Sequence, residues 1–218
     1  DCDKPFFAYV AFMAPHDPRT MPGEYLAMYD PARLPLPGNF LPQHPFDNGE
    51  MTVRDELLAA LPRDPDEVRR HLAAYYGMIT HLDVQMGRII NTLRETGRLD
   101  NTIIVFAGDN GLALGAHGLM GKQCLYEHSI RVPLVIRVPG IAGGAQTAAL
   151  TQLLDIYPTL CDLIGVPIPA TVEGRSLAPV LRRQKTTHRE HLLFAYRHVQ
   201  RAVRDGQHKL IEYHVGTQ

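Results

Sequence analysis

The chain has 218 residues, 45% of them hydrophobic and 21% charged, with a formal net charge of −1. That is the balance of a soluble globular protein long enough to bury a sizeable core, one main domain with a small appendage. Without a basic run or a basic amphipathic helix, general affinity for nucleic acid or an anionic membrane is excluded, and any anion specificity must be local.

No apolar run approaches the roughly 20 residues that span a bilayer, and no signal peptide is present. The chain opens at Asp1 almost inside a strand, as a piece of something longer would. Cys2, Cys124 and Cys161 make neither a disulfide framework nor a metal-ligand pattern, and Cys161 reads as a small buried hydrophobe on a helix.

In chain order, the continuous apolar run Pro5–Phe12 predicts a buried strand. It ends in Met13-Ala-Pro15-His16-Asp17-Pro18-Arg19, where two prolines restrict the backbone around His16 and fix the exit of its imidazole from the sheet. Asp17 and Arg19 are candidates for substrate contact or for surface ion pairing. Residues 20–64 carry seven prolines and little periodicity beyond Val53–Leu61. Such an excursion is either a binding loop at the rim of a cleft or a packed structural insertion.

From Pro65 to Gly97 apolar residues recur by fours and threes, from Val68 and Leu72 to Ile89 and Leu93. The pattern predicts one long helix laid against a sheet, with acidic residues at its start and a glycine stop. Thr102–Ala107 reads as a strand buried on both faces, ended by Gly108 at the carboxyl edge of a parallel sheet, where ligands of open α/β sheets bind. Asp109 and Asn110 follow as two hard oxygen donors suited to Ca²⁺, with Mg²⁺ the other ion such donors take. A glycine-rich loop carrying His117 then returns a positive charge, Lys122, to the same edge. Arg131 is expected to fix the loop through a buried salt bridge or carbonyl contacts. Next come a strand, Pro133–Val138, and a helix from Leu150 to Ile164 stopped by Gly165. Three short strand candidates, Leu192–Tyr196, Arg201–Arg204 and Lys209–Tyr213, complete the chain, with Asp205-Gly206 a hairpin signal between the last two.

Asp109-Asn110-Gly111, Gly115-Ala-His117-Gly118, Gly121-Lys122, Tyr126-Glu127 and Arg131-Val-Pro133 together resemble the carboxyl-terminal half of a sulfatase catalytic domain, in the alkaline-phosphatase-like superfamily. The resemblance runs from Pro5 to about Tyr213 and includes a Pro15-His16 motif. It implies an α/β fold, a mostly parallel sheet flanked by helices. That fold is expected to be incomplete here, with residues 1–170 the second half of the catalytic domain and 171–218 a linker and part of a small antiparallel subdomain.

The resemblance also implies sulfate-ester hydrolysis. Asp109 and Asn110 would bind the metal, Lys122 would pair with a sulfate oxygen or the ester oxygen, and His16 would donate to the leaving oxygen. His117 and Arg19 are further candidates for substrate contact. A formylglycine, made from Cys or Ser in Cys/Ser-x-Pro/Ala-x-Arg, and two further metal aspartates belong to the family's amino-terminal half. None of the three cysteines here has that context, so this chain alone is expected to be inactive. The expected partner is a sulfated small molecule or glycan, and the family's compartments are periplasmic, secreted or lysosomal. The alternatives are a phosphodiesterase or phosphonate monoester hydrolase of the same superfamily, or a non-catalytic binding protein that keeps the fold.

Overall fold

The computed structural model describes residues 4–216, so Cys2 lies outside the described residues. Its longest element is helix α2, Pro65–Glu95, which packs against a short helix, α1, Gly23–Leu26. The Asp64 carboxylate caps α2 by accepting from the Glu67 amide at 2.7 Å, and Pro65 occupies the first turn, where no N–H is needed. Just past the carboxyl end Gly97 takes φ +68°, a conformation glycine adopts without a Cβ penalty.

The helix is not laid on the sheet as its periodicity suggested. Its buried residues, Val68, Leu72, Ala73, Gly77 and Met78, all lie in its first half. Val68 and Leu72 join Ala59, Leu114 and Met120 in the core, with Leu34, Leu36 and Phe40 packed around them. Gly77 allows close approach to α1, since a Cβ there would lie 3.1 Å from the Tyr25 carbonyl oxygen. In the second half the apolar stripe is only partly covered, with Leu82, Met86 and Leu93 half-buried and Ile89 exposed.

The central strand β1, Ile104–Ala107, pairs antiparallel with β2, Leu134–Arg137, from Ile104 opposite Arg137 to Ala107 opposite Leu134. Pro5–Phe12 forms no ladder among the described residues, and Phe7 and Tyr9 are 82% and 86% exposed. Apolar composition marks a segment fit for a sheet, but a strand exists only where a neighbour satisfies its N–H and C=O groups.

The 20–64 excursion is packed into the molecule. Glu56 and Arg63 are both buried, and the Arg63 Nη2 donates to Glu56 Oε2 at 2.5 Å. Arg63 also donates to the carbonyls of Glu56 and Gly118. The Glu56 carboxylate accepts from the amides of Met120 and Gly121 at 2.9 and 2.8 Å. One ion pair thus clamps the excursion to the glycine loop.

Helix α3, Glu127–Ile130, leads into β2. Arg131 at its end is exposed and, among the described residues, forms neither the buried salt bridge nor the carbonyl contacts expected of it; the residue anchored here is Glu127, which accepts from Arg204 at 2.6 Å and Lys209 at 2.9 Å. Helix α4, Ile156–Ile164, begins later than Leu150, after a single turn at Leu153–Asp155, and Gly165 closes it at φ +73°. Pro158 falls in its first turn, where the missing N–H costs nothing.

Asp155 is fully buried and accepts from the amides of Gln152 and Arg175 at 3.0 and 2.8 Å, with Arg189 and His188 on the same carboxylate. The segment 175–189, which includes helix α5, Ala178–Leu181, is thereby tied to the start of α4. Strands β3 (Leu192–Tyr196), β4 (Gln200–Arg204) and β5 (Lys209–Tyr213) form an antiparallel meander. Asp205 closes the last turn by accepting from the amides of Gln207 and His208 at 2.7 and 2.6 Å. Gln200, fully buried, donates to the carbonyls of Asn48 and Gln123 and accepts from the Leu125 amide. No described helix is long and apolar enough to cross a membrane.

Candidate active site

Asp109 and Asn110 stand just beyond the end of β1, both exposed, and Asp109 Oδ1 accepts from the Asn110 amide at 2.9 Å. Gly111 then bonds the Ser129 carbonyl at 2.9 Å, and a Cβ at this glycine would meet the His128 carbonyl oxygen at 1.9 Å. No other residue fits there without moving the backbone that carries the two oxygen donors. The loop that follows closes on itself: Ala113 N donates to Gly121 O at 2.8 Å and Gly115 N to Leu119 O at 2.7 Å. Its two stems therefore lie side by side. Lys122 leaves the loop beside the point where the chain from Asp109 and Asn110 enters it.

The Lys122 Nζ lies 3.7 Å from Asp55 Oδ2, and Gln123 donates to the same oxygen at 2.9 Å. Burial alone would raise the Asp55 pKa, but the Gln123 hydrogen bond and the charges of Lys122, Arg54 and His16 outweigh it and hold the carboxyl below its ordinary value. Asp55 therefore lies beside Lys122, and it is linked toward His16 through Arg54, 3.6 Å from Asp55 and ion-paired with Asp17. The His16 Nδ1 lies 2.8 Å from the Asp17 carbonyl oxygen, which can only accept. That bond places a proton on Nδ1 and leaves Nε2 for chemistry, as an acceptor in the neutral ring and a donor in the protonated one. The Asp17 carboxylate lies 3.7 Å from the same Nδ1 and is ion-paired with Arg54.

The other two candidates differ. His117 stacks on Tyr126 with ring centroids 4.2 Å apart and bonds Asn39 Nδ2 through Nε2 at 2.9 Å. Burial, then His44, lowers its pKa. Its contacts are those of a packed ring that shapes the loop. Arg19 Nη1 donates to His71 Nδ1 at 2.5 Å. Sequence reasoning missed Asp55, Gln123 and Arg54. The signal was an Asp55-Glu56 pair in the short apolar stretch Val53–Leu61, because carboxylates in a segment that folds inward need cationic or amide partners.

As metal ligands, Asp109 Oδ2 and the Asn110 amide oxygen are hard donors at an exposed strand end, suited to a hard cation. Among the described residues no three His, Cys, Asp or Glu side chains group to hold a metal. Two donors fit part of a shell that needs about six to eight oxygens for Ca²⁺.

The sulfatase family profile matches residues 1–166, and one for the carboxyl-terminal part of N-sulphoglucosamine sulphohydrolase matches residues 115–218. The chain belongs to the sulfatase family. It is 36% identical to an arylsulfatase of Clostridium perfringens over 198 residues, 88% of this chain and 40% of that protein. The structure of a phosphonate monoester hydrolase from Silicibacter pomeroyi superimposes with a TM-score of 0.82 at 28% identity, over 97% of this chain and 48% of the other. A protein solved in complex with its substrate D-glucosamine-2-N,6-O-disulfate gives a TM-score of 0.65 at 32% identity, over 68% and 33%. The fold is that of the alkaline-phosphatase-like α/β proteins, held here in part, since the chain spans less than half the length of each of these relatives.

Proposed function

We propose that this chain forms the second half of a sulfuric ester hydrolase, residues 1–170 within its catalytic domain and 171–218 in the linker and small subdomain. The observation that carries the reading is the run of charges from Lys122 through Asp55 and Arg54 to Asp17, which adjoins His16, with Asp109 and Asn110 where the chain enters the loop that ends at Lys122. Hydrolysis of a sulfate ester gathers charge on the sulfuryl oxygens and the departing oxygen, and preorganised cations and donors lower that barrier. Lys122, held loosely at 3.7 Å by Asp55, can turn its ammonium to a sulfuryl oxygen. His16, oriented through Nδ1, offers a protonated Nε2–H to the leaving oxygen.

Asp109 and Asn110 would contribute two oxygens to a Ca²⁺ shell, Mg²⁺ being the alternative, and the ion would supply positive charge against the sulfate. The formylglycine nucleophile and the remaining ligands would come from sequence outside these 218 residues. A sulfated sugar or small molecule is the substrate class, in keeping with the names of the relatives, and export to the periplasm, the lysosome or the cell exterior is the matching compartment.

The phosphonate monoester hydrolase that superimposes over 97% of this chain favours a second reading, hydrolysis of a phosphonate or phosphate ester in the same site. The deciding experiment compares 4-nitrophenyl sulfate with 4-nitrophenyl phenylphosphonate as substrates of the full-length protein. A kcat/KM higher for the sulfate, falling by about 10²-fold or more in Lys122→Ala, is expected. Preference for the phosphonate would move the assignment to the second reading. Unchanged turnover in Lys122→Ala would remove the site.

A further inference from the structure

Beside His16 a cleft of about 630 Å³ opens, lined by Asp17, Pro18, Arg19, Arg54, Arg70 and His71 among others. Its charges are unequally matched. Arg54 is paired with Asp17, but Arg19, largely removed from solvent, rests on no carboxylate. Its one hydrogen bond goes to a ring nitrogen, His71 Nδ1, which must carry a lone pair to accept it, so His71 is neutral with its proton on Nε2. Burial lowers the His71 pKa, and the Arg19 charge adds to that effect.

The other two donor groups of Arg19, Nε and Nη2, are shielded from solvent and have no hydrogen-bond partner among the described residues, so a ligand in the cleft reaches them by a turn of the Arg19 side chain. Leaving charged donors buried and unmatched is costly, and each exception in a folded protein calls for an explanation, a partner brought from outside being one. The particular pair left open matters. Nε and Nη2 form the side-on fork of a guanidinium, whose parallel N–H bonds fit the two oxygens of a carboxylate or of one face of a sulfate.

We propose that this cleft is a subsite for a second anionic group of the substrate, a carboxylate or a further sulfate, held by the Nε–Nη2 fork of Arg19 while the scissile sulfate meets Lys122 and His16. The proposal rests on the hydrolase reading for its substrate, but the fork and the cleft stand without it. Arg19 follows His16 by three positions in the same loop. A substrate with acidic groups on neighbouring positions of a sugar ring, a uronic acid or a doubly sulfated sugar, is the class that would engage both. Asp17 and Glu67 on the walls disfavour a bulky polyanion and leave room for one such group.

The test is calorimetric titration of the full-length protein with glucuronate, which has a carboxylate and no sulfate ester, and of its Lys122→Ala variant with inorganic sulfate, so that sulfate held at Lys122 is not counted. One site per chain is expected, weakened by about tenfold or more in Arg19→Lys, which keeps the charge and loses the fork. Ala74→Glu should weaken it comparably, because Ala74 also lines the cleft, at a helical position that tolerates glutamate, and the new carboxylate would fill the subsite. The glucuronate site should survive in Lys122→Ala. Tighter binding of glucuronate assigns the subsite to a carboxylate, and tighter binding of sulfate to a second sulfate. Absence of binding by the wild type, or equal binding by Arg19→Lys and Ala74→Glu, overturns the proposal. Turnover of 4-nitrophenyl sulfate by the same wild-type preparation separates the two readings: if there is none, the hydrolase assignment falls while the titrations still decide the subsite.

Discussion

Replacing Glu56 by glutamine should destabilise the chain by about 3–5 kcal/mol, the cost of breaking a buried ion pair from one side. The structure makes the high end reasonable. Glu56 and Arg63 are 6% and 2% exposed, so the guanidinium left behind has no route to water. It would keep the carbonyls of Glu56, Ala59 and Gly118 and lose its only carboxylate. The glutamine oxygen can accept one of the Met120 and Gly121 amides that the carboxylate now holds together, while its NH₂ faces a donor on the other side. Against a typical total of about 5–15 kcal/mol, such a loss is severe. Urea unfolding followed by circular dichroism reads it directly. Changing Arg63 to methionine in the same chain should recover part of the loss, because no buried charge is then left unmatched. A destabilisation of less than about 1 kcal/mol for Glu56→Gln, or no recovery in the double variant, would refute the clamp between the excursion and the glycine loop.

Two pH effects follow from buried groups. His128 is pulled down to about 4, chiefly by burial and then by the charges of His117, Lys209 and His44. The unfolded chain therefore takes up its proton first, and stability should fall as pH drops from about 6.5 to 4, by up to about 1.4 kcal/mol per pH unit. The C2-proton resonance of His128 should titrate near 4; titration near 6.5 would show the ring to be open to water. Asp155 behaves in the opposite sense. Burial would raise its pKa, but hydrogen bonds from Arg189 and the amides of Arg175 and Gln152 outweigh it and hold the carboxyl below its ordinary range. Its contribution is complete above about pH 5 and is lost as pH falls through the lowered folded value. Asp155→Asn should be less stable at pH 7 and lose less on acidification, which paired urea titrations at pH 7 and 3.5 would measure. Parallel pH profiles for wild type and variant would discount the network.

What could be read in the sequence was local. The acidic start of α2, the glycine after it, the glycine stop at Gly165 and the Asp205 turn all act within a few residues, so their signals are written next to the elements they bound. The strand before Asp109-Asn110 was legible for the same reason, but its expected burial on both faces is not found, since Phe106 and Ala107 are exposed. The misreadings share another cause. Pro5–Phe12 and the second half of α2 have the composition of covered surfaces, but composition does not say what covers them. The excursion hid the most consequential residues, Asp55 and Glu56, because a buried carboxylate held by partners far along the chain leaves no periodic trace. Arg19 was noticed for its position beside His16; only the fold reveals that two of its donors have no partner among the described residues.

Gln200 bears on how this protein can be cut. Its carboxamide joins the terminal meander to the backbone on either side of Cys124, one peptide away from Lys122, and to Asn48 in the excursion. An engineer seeking a minimal fragment would be tempted to end it before β3, since those strands look like a decoration. Such a truncation would strip two bonds from the backbone that follows Lys122 and a third from the excursion, and the damage would register in the position of the lysine before it registered in expression yield.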